Sequence, residues 1–516
     1  MSEYGFWNLA QKDPDYIALI EPDGAPVRAG DLLAAANRIV HGLRALGLRQ
    51  GDCVATVLPN GRAMIETYLA AGQAGWYLTP INHHLTGSEI GYILGDSDAK
   101  AFIVSSRFAE ACKRAADEVG FPSAARLAAG SIEGFRDFES FKSEQPATLP
   151  EDRAAGQVMN YTSGTTGRPK GVRRALAPFD PDAVFSMYAM FLAMFGIPAG
   201  GKQVHLVGSP LYHTAVLMFA GSSLHYGHTV VLMDKWTPED CLAVIEKHRV
   251  TTSHMVPTQF HRLLALPAEV RARYDVSSLE HMVHAAAPCP IEVKRRMLEW
   301  WGPVVYEYYA ASEGGGTLVT PEEWLRYPGT VGRAWPSSEI RVLDDAGNDS
   351  PTGQPGTVYM ALGAAEFKYH KDDAKTEAGR RAGFFTVGDI GYLNEEGYLF
   401  LCDRKIDMII SGGVNIYPTE IEAEILKHPK VADVAVFGIP NEDWGEEVKA
   451  VIEPASGIDA DAALGAELLA YCSANIAKYK CPRSIDFMAS LPRDPNGKLY
   501  KRKLRDPYWQ GRERAI

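Results

Sequence analysis

The sequence contains little cysteine and no long apolar run. Its seven cysteines are scattered and none forms a C-x-x-C pair, which argues against a zinc site or a disulfide framework and favours a reducing, cytoplasmic location. The longest apolar stretch, FSMYAMFLAMFGI at 185–197, is too short to cross a bilayer, so we expect no transmembrane segment. We predict a buried helix there, with a pocket wall or an interfacial surface as alternatives. The N-terminus also lacks the basic and apolar regions of a signal peptide.

An excess of positive charge is lacking as well. The formal net charge of −12 argues against nucleic acid as a partner, because contacts with backbone phosphates require a basic field. A locally basic patch could still bind a small polyphosphate. The apolar share of 46%, with 48 glycines and 32 prolines, is typical of an ordered globular protein with many turns. At 516 residues the chain is too long for one compact core, so we expect two or more domains.

Helix and strand patterns alternate along most of the chain. The stretch DLLAAANRIVHGLRALGL at 31–48 has helical periodicity, GDCVATVLPN then resembles a strand, and this order recurs. Such alternation predicts parallel sheets with helices on their faces. Short strands and turn signals at 329–402 predict a β-rich subdomain, after which an α/β pattern returns. We therefore predict an α/β protein with a large N-terminal domain (1–402), made of parallel-type sheets plus the β-rich subdomain, and a small, mobile α+β C-terminal domain (403–516) joined by a hinge.

The segment NYTSGTTGRPKGV at 160–172 cannot bury an apolar face. Its glycines permit close backbone approach, its amides and hydroxyls can wrap an anion, and Lys170 adds a point charge. It is not a Walker A loop, because Lys170 follows Pro169 and Gly171 stands where the Mg²⁺-binding Ser or Thr should be. A flexible surface loop is the alternative, but the composition favours a phosphate-binding loop of another kind.

This segment resembles the phosphate loop of the adenylate-forming enzymes, which include acyl-CoA synthetases, adenylation domains of peptide synthetases and luciferases. Further motifs of the family follow in the family's order, so the resemblance covers essentially the whole chain. It implies that Thr166 takes part in catalysis and in binding Mg²⁺. The ATP-binding residues that it implies in this loop are Thr162, Ser163, Gly164, Thr165, Thr166, Gly167 and Lys170.

The segment YYAASE at 308–313 is similar to the family's Y-G-x-T-E motif. The resemblance implies that Tyr309 stacks on adenine and that Glu313 is a catalytic residue that binds Mg²⁺. Ser312 would hydrogen-bond the phosphate or the acyl carboxylate region. A flat aromatic ring, a hard-cation ligand and a donor within one turn suit that chemistry. Taken alone, the segment could equally be a strand end with an incidental glutamate.

Two further segments resemble motifs of the same family, but each match is less specific. HAAAPCP at 284–290 resembles the part of the chain that passes beside adenine, where Ala286 would let the backbone approach the nucleotide. FFTVGDIGY at 384–392 resembles the T-G-D motif, in which Asp389 would accept both ribose hydroxyls. Without the other motifs, the first would be an alanine-rich turn and the second an aspartate in a β-turn.

The segment DRKIDMIISGGVNIYPTEIE at 403–422 resembles the family's hinge and the loop after it. By this resemblance Arg404 contacts ribose or phosphate. Gly412 and Gly413 line the channel for the CoA thiol once the small domain has rotated. Ile406 departs from the pattern, because the family usually has Asp or Lys at that hinge position.

The C-terminal segment LPRDPNGKLYKRKLRD at 491–506 matches the family's last motif, and Lys498 would be its adenylation lysine. Together the motifs imply a two-step ligation that uses ATP, Mg²⁺ and CoA. A carboxylate attacks the α-phosphate to give acyl-adenylate and pyrophosphate, and a thiol then displaces AMP. Positioning and charge neutralisation suffice for this chemistry, which fits the lack of a Ser-His-Asp or Cys-His constellation.

Substrate preference is indicated by LVGSPLYHTAVLMFAG, which contains His213. Family members carry an aromatic residue or a histidine there, beside the acyl pocket and the pantetheine channel, so His213 is a candidate catalytic residue; a structural histidine is the alternative. Amino-acid-activating relatives place an aspartate near this segment, and none is present. With the Met- and Phe-rich run, this favours an apolar acyl tail. Gly314, Gly315 and Gly316 are expected to leave space for it, with a flexible turn as the alternative. Fatty, aryl and steroid side-chain acids all remain open.

The function predicted from these motifs is an ATP-dependent acyl-CoA ligase. The partners are a small-molecule carboxylic acid, ATP and CoA, with a homodimer left open. CoA is preferred over a carrier protein because the chain ends soon after the last motif. The alternatives are a stand-alone adenylation enzyme that loads a carrier protein, a luciferase-like oxygenase, and a non-catalytic nucleotide-binding sensor. The sensor is disfavoured because both Lys170 and Lys498 are present, with Glu313 and Asp389.

Overall fold

The computed structural model describes residues 4–162, 169–200, 202–311, 313–336, 338–363, 367–493 and 499–510. Some predicted site residues lie outside these ranges, and their predicted roles stay predictions. They are Ser163, Gly164, Thr165, Thr166, Gly167, Ser312 and Lys498.

Helices and strands alternate through the first part of the described chain. The helices are α1 (Phe6–Lys12), α2 (Ala29–Ala45), α3 (Arg62–Ala74), α4 (Gly87–Asp96), α5 (Ala109–Glu118), α6 (Phe138–Ser143), α7 (Pro181–Ala189), α8 (Thr214–His225), α9 (Pro238–His248), α10 (Pro257–Leu264), α11 (Ala268–Arg271) and α12 (Ile291–Trp301). The strands are β1 (Ile17–Ile20), β2 (Pro26–Arg28), β3 (Cys53–Val57), β4 (Tyr77–Pro80), β5 (Ala99–Ser105), β6 (Arg126–Ala129), β7 (Arg136–Asp137), β8 (Gln157–Val158), β9 (Asn160–Thr162), β10 (Lys170–Arg173), β11 (Val204–Val207), β12 (Thr229–Leu232), β13 (Thr252–Met255), β14 (His281–His284) and β15 (Val305–Ala310).

Short strands dominate the next part, and mixed elements follow. The elements up to Arg404 are β16 (Gly316–Val319), α13 (Pro321–Arg326), β17 (Arg333–Ala334), β18 (Ser338–Leu343), β19 (Gly356–Leu362), β20 (Lys368–Tyr369), α14 (Asp373–Ala378), β21 (Arg380–Arg381), β22 (Phe384–Phe385), β23 (Asp389–Leu393) and β24 (Leu399–Arg404). The elements after it are β25 (Ile409–Ser411), β26 (Val414–Ile416), α15 (Pro418–Ile425), β27 (Val431–Asn441), β28 (Gly445–Pro454), α16 (Ala462–Asn475), β29 (Ser484–Phe487) and α17 (Lys501–Arg505).

Two parallel sheets form the large domain. One has the order β7-β6-β5-β3-β4-β8 and is parallel throughout. The other has the order β17-β16-β15-β14-β13-β11-β12-β1-β2 and is parallel from β15 to β1. The predicted α/β class, with a large N-terminal domain of parallel sheets and a smaller C-terminal domain, is confirmed.

Burial on both faces explains why the central strands are apolar runs rather than alternating ones. In β3, Val54 joins the core formed with α2 and α3, whereas Ala55 and Val57 join the core formed with α4 and α5. The whole strand is buried. Crossover helices on both faces of a parallel sheet require this composition.

The β-rich part contains the sheet β21-β22-β19-β23-β24, with β18 paired to β19. A separate antiparallel sheet, β20-β10-β9, joins this part to the predicted phosphate loop, because β9 and β10 form the two ends of the segment at 160–172. In the small domain the order is β26-β25-β28-β27, with β29 parallel to β28.

The connection between the large and small domains runs from β24 to β25. Arg404 ends β24, and Ile409 starts the first strand of the small domain's sheet. Between them, Arg505 of α17 donates a 2.9 Å hydrogen bond to the carbonyl oxygen of Ile406. The Asp403 carboxylate accepts hydrogen bonds from Thr419 at the start of α15. The predicted domain limits at 402 and 403 fall beside this connection and stay a prediction, as does rotation about it.

The apolar stretch at 185–197 differs from its prediction. Helix α7 ends at Ala189, and a 3₁₀ segment, Met190–Phe195, continues the chain. Phe185 and Phe195 are buried, but Met187 and Met190 are 59% and 61% exposed. The prediction of one buried helix is therefore wrong in extent and in burial. Among the helices that the structure describes, none combines the length and apolarity needed to cross a membrane.

Candidate active site

Four of the predicted site residues lie at one edge of the nine-stranded sheet: His213, Ala286, Tyr309 and Glu313. β11, β13, β14 and β15 are parallel neighbours, so their carboxyl ends meet at that edge. His213 follows β11, Ala286 follows β14, and Glu313 follows β15. Ligands of open parallel sheets commonly bind outside the carboxyl ends of the strands.

Tyr309, Asp389 and Arg404 come together although they lie far apart in the chain. The Tyr309 hydroxyl donates a 2.6 Å hydrogen bond to Asp389 Oδ2, and Arg404 Nε lies 3.5 Å from Asp389 Oδ1. Asp389 and Arg404 face each other across β23 and β24. Burial, with the adjacent Asp389 carboxylate, raises the pKa of Tyr309 well above its usual value, so its hydroxyl stays a donor. Three of the residues predicted to bind the nucleoside therefore form one cluster.

Glu313 is held by a residue that the sequence did not suggest. Its side chain is buried, and Oε1 accepts a 2.6 Å hydrogen bond from the Tyr369 hydroxyl. Tyr369 reaches it because β20 pairs with β10, with Val172 opposite Tyr369. The Arg174 guanidinium is also close: burial lowers its pKa, and the Glu313 carboxylate opposes that shift. A buried, oriented carboxylate fits a hard divalent cation such as Mg²⁺.

Lys170 also has a partner from the segment that contains Tyr369. Its Nζ lies 3.3 Å from Asp372 Oδ2, and it stands opposite Thr162 in the β9–β10 pair. The hydrogen bond from Lys170 to Asp372 raises the pKa of the ammonium group. Asp372 Oδ1 also caps α14 by accepting from the Lys375 amide. Tyr369 and Asp372 were both missed, because nothing in KYHKDDAKT indicates the strand pairing that brings them to the site.

Ala286 has an unusual backbone conformation. Its φ is +73°, a left-handed value that residues with a Cβ rarely adopt, and it is exposed directly after buried Ala285. Strained backbone of this kind concentrates at functional sites. The predicted place of Ala286 beside adenine stays a prediction.

His213 and the Gly412–Gly413 pair lie in different environments. His213 precedes α8 as its N-cap, half-buried, with its ring 4.3 Å from that of Tyr212.

Gly412 and Gly413 form the turn between β25 and β26, both with positive φ. A Cβ on Gly412 would lie 2.5 Å from the Trp444 ring, and its φ is positive, so glycine is favoured there. This turn contacts its own domain, and its predicted place in a thiol channel stays a prediction.

The glycines after Glu313 do not border open space in the way expected. Gly315 has φ +76°, and a Cβ there would lie 3.1 Å from Met360 Cβ and 3.3 Å from the Ala361 carbonyl oxygen. At Gly316 a Cβ would lie 2.3 Å from the Tyr309 carbonyl oxygen. Glycine at these positions permits the backbone conformation and the close packing of the neighbouring residues. The expectation that a side chain there would project into an acyl pocket is wrong for these two residues.

Two family models match the chain. Residues 6–365 match the AMP-binding enzyme family, and residues 420–498 match the AMP-binding enzyme C-terminal domain. The chain belongs to the AMP-binding enzyme family. This membership confirms the resemblance to adenylate-forming enzymes and the predicted enzyme class, an AMP-forming acid–thiol ligase.

Members of the AMP-binding enzyme family with assigned activities match nearly the full chain. A feruloyl-CoA synthase from Amycolatopsis is 33% identical over 505 residues, covering 97% of this chain and 98% of the relative. The long-chain-fatty-acid–CoA ligase FadD13 of Mycobacterium tuberculosis is 30% identical over 508 residues, with 97% and 98% covered. The o-succinylbenzoate CoA synthetase of Bacillus subtilis, solved with its acyl-adenylate intermediate, matches with a TM-score of 0.80 and 28% identity, covering 98% of each chain.

Proposed function

We propose that this enzyme converts an uncharged carboxylic acid to its CoA thioester through an acyl-adenylate, and that ATP is cleaved to AMP and pyrophosphate. One observation carries the proposal. Asp389 contacts both of the other residues predicted to hold the nucleoside, Tyr309 and Arg404, and Glu313 follows β15, the strand that contains Tyr309.

The nucleoside would be held by groups that are already oriented. The Asp389 carboxylate is fixed from two sides, by the Tyr309 hydroxyl and by Arg404, and is free to accept from ribose hydroxyls with its remaining lone pairs. The Tyr309 ring supplies a flat surface for adenine. Because the carboxylate does not need to be ordered on binding, less conformational entropy is lost.

The phosphates would lie between the loop at 160–172 and Glu313. Glu313, with Thr166, would hold Mg²⁺, which supplies charge neutralisation for the triphosphate. Tyr369 keeps the Glu313 carboxylate in one orientation. Lys170 would exchange its contact with Asp372 for a phosphate oxygen, because a polyphosphate offers a compact ammonium group more negative charge than one carboxylate does.

In the first step a carboxylate oxygen forms a bond to the α-phosphorus and the bond to pyrophosphate breaks. We propose that Lys498 neutralises the charge that develops there. In the second step the CoA sulfur forms a bond to the acyl carbon and AMP leaves, with His213, Gly412 and Gly413 beside the entering thiol. Neither step requires a protein nucleophile, so the chain contributes position and charge.

An uncharged acyl tail is supported by the face of the sheet beneath the site. Phe191, Phe195, Phe219, Tyr308 and Trp335 cluster there. The relatives named for feruloyl and long-chain fatty acyl groups also act on acids with largely apolar tails. The face offers such a tail apolar surface.

Pyrophosphate exchange into ATP across a panel of carboxylic acids, with and without CoA, tests the proposal. Uncharged acids should support exchange, and adding CoA should give thioester, AMP and pyrophosphate. Asp389→Ala should raise the KM for ATP about tenfold or more, since it removes a charged acceptor. Asp373→Asn is the matched control, because Asp373 is exposed on α14. Formation of ADP and phosphate would contradict the proposal.

A further inference from the structure

The inference concerns a layer of aromatic side chains between the nine-stranded sheet and the helices that cover it. Phe191, which belongs to the 3₁₀ segment Met190–Phe195, lies at the centre of this layer. The ring centroid of Phe191 is 5.1 Å from that of Phe195, 5.3 Å from Phe219, and 6.0 Å from both Tyr308 and Trp335. All four contacts are edge-to-face, an arrangement that aromatic rings favour. We call these five residues the aromatic layer.

The aromatic layer reaches the strand ends at the candidate active site. Ala285, which precedes Ala286, belongs to the same buried cluster as Tyr308, whereas Tyr309 lies on the opposite face of β15. The Trp335 ring lies against Gly316, 2.7 Å from the position of a Cβ there. A tail attached to a carboxylate held at the strand ends would therefore enter this layer. Phe191 is only half-buried, so it is the side chain that an entering ring would displace.

A polar pair with an unpartnered nitrogen is buried against this apolar layer. His254 of β13 is 3% exposed and Tyr308 is 5% exposed. Tyr308 Oη lies 3.3 Å from His254 Nε2, and the His254 ring packs 5.0 Å from that of Phe219. Within the part of the chain that the structure describes, His254 Nδ1 has no hydrogen-bond partner. A buried polar atom left without a partner costs stability, so a ligand group that supplies the missing partner gains binding free energy.

The depth of His254 matches a short, rigid tail. His254 pairs with Val283 in β14, and Val283 lies two residues before Ala285 at the strand end. Two residues of a strand span about 7 Å, roughly the length of one substituted aromatic ring. An acid whose carboxyl group lies at the strand ends would place its far substituent at this depth.

The chemistry of a neutral imidazole decides which substituent fits. Burial lowers the pKa of His254 to about 4, so the ring is neutral near pH 7. If Tyr308 donates to Nε2, Nδ1 carries the proton and needs an acceptor; if Tyr308 accepts, Nδ1 needs a donor. A hydroxyl group can accept or donate and satisfies both cases. A carbonyl or an ether oxygen satisfies only the first.

We propose that His254 and Tyr308 form a subsite for a hydroxyl group on the acyl tail, and that the preferred substrates are aromatic carboxylic acids with a hydroxyl group remote from the carboxyl group. This inference rests on the proposed ligase function and names its substrate class. The aromatic layer binds the ring by edge-to-face contacts, and the polar pair selects the hydroxylated form.

Pairs of acids that differ only by a hydroxyl group test the subsite. Cinnamate with 4-hydroxycinnamate, and benzoate with 3- and 4-hydroxybenzoate, are compared by kcat/KM in ATP–pyrophosphate exchange, with 4-methoxycinnamate and medium- and long-chain fatty acids alongside. The wild-type enzyme should favour a hydroxylated acid over its deoxy partner by about tenfold or more. Each result is a ratio within one enzyme, so a general loss of folded protein cancels.

Variants assign the preference to its residues. His254→Phe keeps a ring of similar size and should remove or reverse the preference, and Tyr308→Phe should weaken it. His205→Phe is the matched control, because His205 is also buried against Phe219 but already contacts Thr252 at 2.9 Å. Its hydroxyl preference should stay that of the wild type.

Two outcomes would overturn the subsite. One is a wild-type enzyme that shows no hydroxyl preference or favours the deoxy acids or fatty acids. The other is a preference that His254→Phe and His205→Phe change equally. Failure of the ligase function itself would appear differently, as no exchange with any acid or as ADP among the products.

Discussion

The hydrogen bond between Tyr369 and Glu313 allows a sharp test of the proposed metal site. Tyr369→Phe removes one hydroxyl and keeps the ring. The ring therefore retains its contacts with Phe367 and with the Lys375 ammonium group. The change should raise the Mg²⁺ concentration needed for half-maximal activity, because the carboxylate that binds the metal loses the group that orients it.

The size of the expected rise in Mg²⁺ concentration follows from the hydrogen bond between Tyr369 and Glu313. The bond is 2.6 Å long, involves a carboxylate and is partly buried. A hydrogen bond to a charged group contributes about 1.5 to 3 kcal/mol. Removing the partner of a metal ligand typically lowers metal affinity about 10- to 100-fold, which corresponds to a similar free energy. We therefore expect the half-saturating Mg²⁺ concentration to rise about tenfold or more, with kcat at saturating Mg²⁺ little changed.

The assay is ATP–pyrophosphate exchange as a function of free Mg²⁺ at saturating ATP and acid. Tyr392→Phe is the matched control, because Tyr392 is a half-buried tyrosine of the same β-rich part whose ring stacks on Phe400. An unchanged Mg²⁺ dependence in Tyr369→Phe would refute Glu313 as the metal ligand. An equal shift in both variants would show a general structural effect instead.

Three further predictions follow from the same structure. Lys498→Ala should slow adenylate formation by about two orders of magnitude, while thioester formation from supplied acyl-adenylate and CoA changes less than about tenfold; an equal loss in both half-reactions would argue for a general structural role. Gly315→Leu should reduce activity with small and large acids alike, because its φ is positive and Met360 is close, and a loss confined to large acids would contradict this. Burial lowers the pKa of His205 and His225 to about 3 and that of His254 to about 4. The unfolded chain then binds more protons below about pH 6.5, so stability should fall on acidification by about 1.4 kcal/mol per pH unit for each histidine. His254→Phe should remove the uptake of one proton on unfolding, so the unfolding midpoint should depend less steeply on pH between 6.5 and 4. An unchanged slope would contradict this prediction.

Site residues that lie within one short segment were accessible from the sequence. Lys170 belongs to the segment at 160–172, and Tyr309 and Glu313 lie within one motif, so the resemblance of these short segments to family motifs implied their roles. The parallel sheets were also predictable, because buried parallel strands between helices must be short apolar runs. The extent of α7 was not, since the apolar residues of 185–197 fit a helix and a 3₁₀ segment equally well.

The sequence by itself determined the family and the α/β class with a large N-terminal and a smaller C-terminal domain, and it predicted roles for the phosphate and nucleotide motifs. Only the tertiary structure decided which side chains complete them. Tyr369 reaches Glu313 from 56 residues away, and His254 meets Tyr308 from 54 residues away. Both contacts depend on strand pairing and register, which are set by packing over the whole sheet. Neither leaves a signal in the residues beside it, because register is a long-range property of the folded chain.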